Sequence, residues 1–292
     1  MPAPGTKPVA KASVAGVVEF ELKDGFREVL QQDIDTVLQE GILSSGRAAK
    51  LRGKLGWSAS GTYGRCARGG QAPLVRRQYF DTVDVLDEPL KDSLRFHSLL
   101  ACVVQPRQVQ VLGAVLPPVR IYSDASYEPD TDLVAGVGFV VFDAASAQPP
   151  VGMAARLAPQ VLQLFDERHQ QITPCEALLS VIVPCNVPHL LVGRDLIWYI
   201  DNQAACQILT KGASSAGDLC FIASLAHLLY AKLSCRVYFE YIESNANPAD
   251  GLSRDGLDDA WTFSQGWSLL PAIVPDLVRI AASSLAAALT AL

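Results

Sequence analysis

No two of the seven cysteines stand at CxxC spacing, and their number is odd, which argues against both a disulfide framework and a zinc site. Cys175, Cys206 and Cys220 sit in apolar surroundings, where cysteine serves as a small core residue. A reducing, intracellular setting, cytoplasmic or nuclear, is therefore expected. No apolar run follows Met1, so no secretion leader is expected. The segment from Asp276 to Leu292 is rich in Ala and Leu but short and broken by Arg279, which excludes a membrane span and leaves an amphipathic helix. No histidine has a second one at ligand spacing, so His169, His189 and His227 receive no role. No internal repeat is visible. What remains is a globular chain of 292 residues, half of them hydrophobic, long enough to bury a real core.

Charge is divided unevenly. Residues 1–118 hold 15 Lys/Arg against 12 Asp/Glu, a net of +3, and residues 119–292 hold 9 against 18, a net of −9. A basic half beside an acidic half suggests that one part meets an anion and the other holds cations. The most basic segment runs from Arg47 to Arg77. It carries Arg47, Lys50, Arg52, Lys54, Arg65, Arg68, Arg76 and Arg77 with no acid, and Trp57, Tyr63 and six glycines lie between them. Cations interleaved with aromatics can track a phosphate backbone and stack on bases. A solvated basic face is the plainer reading of the same run.

Local patterning orders the chain. Residues 1–16 lack periodicity and read as a flexible lead-in. Apolar positions Phe26, Val29, Leu30, Ile34, Val37, Leu38 and Ile42 predict a helix. One or two helices are expected over residues 80–102, followed by a Gln- and Val-rich connector. Leu116-Pro117-Pro118 is a stiff joint and marks a domain boundary. Strands are predicted at 119–122, 136–142 and 151–157, then a helix from Thr173, a strand ending at Asp201 with a helix after it, a helix near 219–233 and a strand at 236–242. Three strands followed by helix-strand alternation describe a mixed α/β sheet covered by helices.

Four acids stand where these elements end or begin: Asp124, Glu176, Asp201 and Asp250. Each has a plainer explanation. Asp201 would cap the helix after it, and Thr173 and Glu176 are spaced as a capping box. Asp250 would cap similarly, and Asp124 would open the turn into Glu128-Pro129-Asp130. If the ends converge, however, the four acids share one pocket and repel unless a divalent cation neutralises them. Oxygen-only ligands suit Mg²⁺ or Mn²⁺.

Ile121-Tyr122-Ser123-Asp124-Ala125-Ser126, Cys175-Glu176-Ala177-Leu178-Leu179, Tyr199-Ile200-Asp201-Asn202 and Asn247-Pro248-Ala249-Asp250-Gly251-Leu252-Ser253-Arg254 resemble the motifs of the ribonuclease H domain of retroelement reverse transcriptases, of the DIRS-like and pararetrovirus-like type. The resemblance covers about residues 118–256. Residues 48–55 and 63–68 resemble, more weakly, the helical connector that precedes that domain. The resemblance implies a ribonuclease H-like fold, with a five-stranded mixed sheet flanked by helices and a mainly helical N-terminal extension. It also implies endonucleolytic cleavage of RNA in RNA–DNA hybrids, with Asp124, Glu176, Asp201 and Asp250 as ligands of two Mg²⁺ or Mn²⁺ ions. Its partners would be a hybrid or other nucleic acid and a separate polymerase region or chain, with no membrane. The domains are then a lead-in at 1–16, a helical basic connector at 17–116, the ribonuclease H-like domain at 117–256 and a helical tail at 257–292. Three departures stand out. No Y-x-D-D-like polymerase signature lies upstream, so a whole reverse transcriptase is not expected. Pro184 and Pro188 are expected to cut the Glu176 helix short, and residues 152–172 are looser than the family's pattern. A non-catalytic nucleic-acid-binding remnant is the alternative, and a 3′–5′ exonuclease or integrase core is a third reading.

Overall fold

The computed structural model describes residues 9–12, 16–23, 25–60, 65–103, 106–111, 116–131, 134–277, 279 and 287. They fall into two compact units, one within Met1–Val115 with Ser283–Leu292 and one within Leu116–Ala282. Tyr63, most of the lead-in and nearly all of the tail beyond Leu277 lie outside the described residues.

In the first unit, the helical spacing around Phe26 forms α1 (Phe26–Glu40). With α2 (Ser45–Ser60), α3 (Ala72–Tyr79) and α4 (Glu88–Val103) it encloses a core of Leu30, Ile34, Leu51, Leu55, Leu74, Leu90 and Leu94. The unit is mainly helical, but it also holds a small antiparallel sheet, β1 (Val9–Ala12), β2 (Val17–Glu21) and β3 (Arg107–Gln110), in that order. Residues 9–12 therefore depart from a flexible lead-in, and 107–110 from a plain connector. Backbone pairing along β2 needs no side-chain periodicity of its own, so neither strand was legible. Residues 80–87 are not helical. They run alongside residues 41–43, with Leu43 N donating to Asp84 O and Leu86 N to Gly41 O.

The second unit is built on six strands: β4 (Val119–Tyr127), β5 (Ala135–Phe142), β6 (Val151–Arg156), β7 (Asp195–Ile200), β8 (Arg236–Tyr241) and β9 (Ser268–Pro271). Their order across the sheet is β8-β7-β4-β5-β6-β9. The first three form an antiparallel meander, β7 and β8 run parallel to β4, and β9 runs parallel to β6. Between them come α5 (Pro159–Leu162), α6 (Ile172–Asn186), α7 (Pro188–Leu191), α8 (Gln203–Lys211), α9 (Gly217–Lys232), α10 (Asp250–Arg254) and α11 (Ala260–Ser264). Nearly all of β5 is buried, as suits a central strand covered on both faces. α6 and α9 are apolar almost all round and pack on each other.

Three expectations change. The sheet has six strands rather than five, because residues read as the start of a helical tail supply β9. Trp267 and Leu269 pack there against Val140, Ala154 and Leu252, so burying them at the sheet edge outweighs any helical preference. Pro184 does not end its helix, since α6 continues through it to Asn186. β4 does not stop at Asp124 but runs on to Tyr127. Among the described residues, no helix is long and apolar enough to cross a membrane.

Candidate active site

The register of the sheet brings the first two acids together. β4 and β7 pair in parallel as far as Ser123 opposite Ile200, so the next residue of each strand is an acid: Asp124, still within β4, and Asp201, where β7 has ended. α6 packs against β4 and brings Glu176 to the same point. One carboxylate oxygen from each of Asp124, Glu176 and Asp201 lies within 4.8 Å of the others. These three line an open cleft of about 320 Å³, with Ser126, Asn202 and Arg254 also on its wall.

The capping explanations do not hold. Asn202, not Asp201, caps α8, its Oδ1 accepting from Ala205 N at 3.0 Å. α6 begins before Thr173 and has no side-chain cap, and Glu176 Oε1 instead accepts from Ala125 N of β4 at 3.1 Å. Asp250 opens α10 without capping it. It is also not drawn into the group of three. Its Oδ1 accepts from Arg254 Nε at 3.0 Å, one helical turn along. Its charge is still felt at Asp124.

Burial makes the triad electrostatically costly. Asp124 is 3% exposed and Glu176 2%. Loss of solvation, and then the charge of Asp201, push the Asp124 carboxyl up to about 8. Glu176 is raised well above the ordinary carboxylate range, first by burial and then by Asp124 and Asp201. Only one Glu176 oxygen is satisfied, because Oε2 is buried with no hydrogen-bond partner. An unpartnered carboxylate oxygen among clustered acids, all of them hard oxygen donors, is the setting a Mg²⁺ or Mn²⁺ ion fits.

Behind the acids lies a polar network that the sequence did not flag. Ser253 Oγ donates to Asp124 Oδ2. Ser123 Oγ accepts from Trp198 Nε1 at 2.8 Å, and its carbonyl accepts from Asn247 Nδ2 at 2.9 Å. The available signal was helical spacing: Ser253 and Arg254 stand three and four residues after Asp250 and so share its face.

In the first unit the eight cations are used unequally. Arg77 is 1% exposed, and its guanidinium donates to Asp81 Oδ2, to Leu43 O and to Val85 O. It is a structural cation that locks residues 81–85 onto the helices, which corrects its place among the nucleic-acid contacts. Arg47, Lys54 and Arg76 form ion pairs with Glu40, Asp33 and Asp87. Arg52 lies over the ring of Tyr79 at 5.4 Å. Lys50 and Arg68 are exposed, and burial lowers the pKa of the half-buried Arg65.

Neither a protein-family model nor a curated protein matches the sequence. Among the solved structures that resemble it are two ribonuclease H chains. The N-terminal RNase H domain of a Mycobacterium tuberculosis protein, determined as a fusion with maltose binding protein, is 18% identical, covers 50% of this chain and 97% of its own, and has a TM-score of 0.34. RNase H1 from the halophilic archaeon Halobacterium salinarum is also 18% identical, covering 49% of this chain and 98% of its own, with a TM-score of 0.36. In this protein itself, an antiparallel meander is extended by two parallel strands, with acids on the first strand, on the first long helix and at the end of the next strand. The fold is ribonuclease H-like.

Proposed function

We propose that the second unit is a metal-dependent, ribonuclease H-type endonuclease that cleaves the RNA strand of RNA–DNA hybrids. The observation that carries this reading is the convergence of Asp124, Glu176 and Asp201 in an open cleft, with one buried Glu176 oxygen left unpartnered. Mutual repulsion makes that arrangement unfavourable unless a cation completes it. In this reading two Mg²⁺ or Mn²⁺ ions are held by the three acids, with Asp250 as the fourth ligand. Divalent ions so held would lower the pKa of the attacking water and stabilise charge on the leaving 3′ oxygen. The chain's own residues do the rest. β4 and β7 fix Asp124 and Asp201 side by side, and the Ala125 N–H holds Glu176 by one oxygen. Arg254, on the cleft wall, offers a guanidinium to a backbone phosphate.

The Asn247–Arg254 stretch supports a retroelement reverse transcriptase as the source of the domain, working beside a separate polymerase region. In the proposed connector at residues 17–116, phosphate contacts fall to Lys50, Arg52, Arg65 and Arg68. Arg47, Lys54 and Arg76 would join them, because exposed ion pairs are worth only about 0–1 kcal/mol and yield to phosphate.

One observation favours binding without cleavage: Asp250 is engaged by Arg254 rather than by the triad. Incubating the protein and Mg²⁺ with a labelled RNA–DNA hybrid, a DNA duplex and single strands separates these readings. Internal cuts confined to the RNA of the hybrid support the proposal. Binding without cuts supports the scaffold, and end-dependent trimming of single strands supports an exonuclease.

A further inference from the structure

We infer that Ser253 is a positioning residue that sets the orientation of the Asp124 carboxylate. The inference rests on the metal-binding reading above and deepens it. Ser253 is 1% exposed and lies behind Asp124, off the cleft wall, so it is placed to act through that acid rather than on a substrate. Its hydroxyl donates to Asp124 Oδ2 and also lies 2.9 Å from Asp250 O. A hydroxyl has one proton, and with a cation holding Asp124 ionised its carboxylate is the stronger acceptor.

The backbone of Ser253 is held from two directions. Its carbonyl accepts from Ser126 Oγ at 2.7 Å and from Arg156 Nη1 at 3.3 Å, while the second Arg156 nitrogen reaches Arg254 O. Beneath it, β5 carries glycines where any side chain would collide. A Cβ on Gly138 would stand 2.6 Å from Ser253 N and 2.5 Å from Leu252 Cβ, and one on Gly136 would strike Ser253 O. The α10 backbone therefore lies directly on the sheet, and the hydroxyl is delivered to Oδ2 from a fixed point. With one oxygen held in this way, the carboxylate cannot rotate freely about its Cβ–Cγ bond. The stretch resembling N-P-A-D-x-L-S-R thereby gains a physical meaning: Asn247 fixes the Ser123 carbonyl, Ser253 fixes Asp124 and Arg254 holds Asp250.

The test is calorimetric titration of the full chain with Mn²⁺ in the absence of nucleic acid. Loss of a hydrogen-bond partner behind a ligand weakens metal binding by about 10- to 100-fold, and Ser253→Ala should fall in that range. Its metal-free melting temperature should stay within a few degrees of wild type. Ser253→Thr, which keeps the hydroxyl, should recover most of the affinity. If the alanine variant does not fold, Ser253→Cys, with its weak donor, is held to the same range. Wild-type affinity in the alanine variant, or equal losses in the alanine and threonine variants, would overturn the role of Ser253 alone. A wild-type protein that binds no Mn²⁺ would overturn the metal reading itself, and this inference with it.

Discussion

The hydroxyl of Tyr230, on α9, donates to the carbonyl of Ser180, on α6, at 3.1 Å. That carbonyl is the one an unbroken helix would pair with the N–H of residue 184, which here is a proline without one. Tyr230 thus supplies from the neighbouring helix the donor that α6 lacks. Tyr230→Phe should cost about 1–2 kcal/mol, because it strands a buried carbonyl. The cost should shrink in a Pro184→Ala background, where the amide returns. Denaturant unfolding of the four proteins measures it, and equal costs in both backgrounds would contradict the pairing.

Without metal, the triad should make the protein less stable as pH rises. The folded-state pKa values of Asp124 and Glu176 lie above their unfolded values, chiefly through burial and then through neighbouring acids. The folded state therefore keeps protons that the unfolded chain releases, and stability drops between about pH 4 and 8. Asp143, held low by its hydrogen bond from Arg194, acts in the opposite sense but only below the ordinary carboxylate range, while the buried His97, pushed down to about 4 by loss of solvation, does so up to the ordinary imidazole range. In EDTA the melting temperature should be higher near pH 6.5, where His97 no longer contributes, than near pH 8, and Mg²⁺ should restore it at the higher pH. A melting temperature that rose over that range in EDTA would count against a self-repelling triad.

Arg77 should matter for stability rather than for binding. Arg77→Ala leaves the Leu43 and Val85 carbonyls without their donor and Asp81 to Arg76 alone, and stranding a buried acceptor costs about 1–3 kcal/mol. Arg52→Ala, on the half-exposed face of α2, should leave the melting temperature nearly unchanged while weakening hybrid binding and flattening its salt dependence. Thermal melting beside salt-dependent binding distinguishes them. The reverse pattern would reassign both residues.

Much of the second unit was legible because its signals are local. The apolar run ending at Asp201, and the helical spacing after Asn202, each lie within one element or at its end. The acids were legible as residues, and as a group of four only through the resemblance; three of them converge. Which of them converge depends on the β4–β7 register and on α10 keeping Asp250 beside Arg254, and both are tertiary facts. β9 was missed because four residues at a sheet edge take their conformation from Gly152 and Met153 of β6 rather than from themselves. Pro184 misled for a related reason: the donor that makes it tolerable comes from α9, more than forty residues later.

The central claim is that Asp124, Glu176 and Asp201 act together through a divalent cation to cut RNA. It is tested most directly by the rate at which the protein cleaves the RNA strand of an end-labelled hybrid in Mg²⁺, beside Glu176→Gln and Asp201→Asn. Each variant keeps its side chain's shape and loses one charge. Removing a ligand from the transition state should cost several kcal/mol, and each 1.36 kcal/mol is about tenfold in rate. The expected result is cleavage abolished by EDTA and slowed at least about a thousandfold in both variants, with each variant still folded. Cleavage that persisted in EDTA, or ran at the wild-type rate in either variant, would contradict the account.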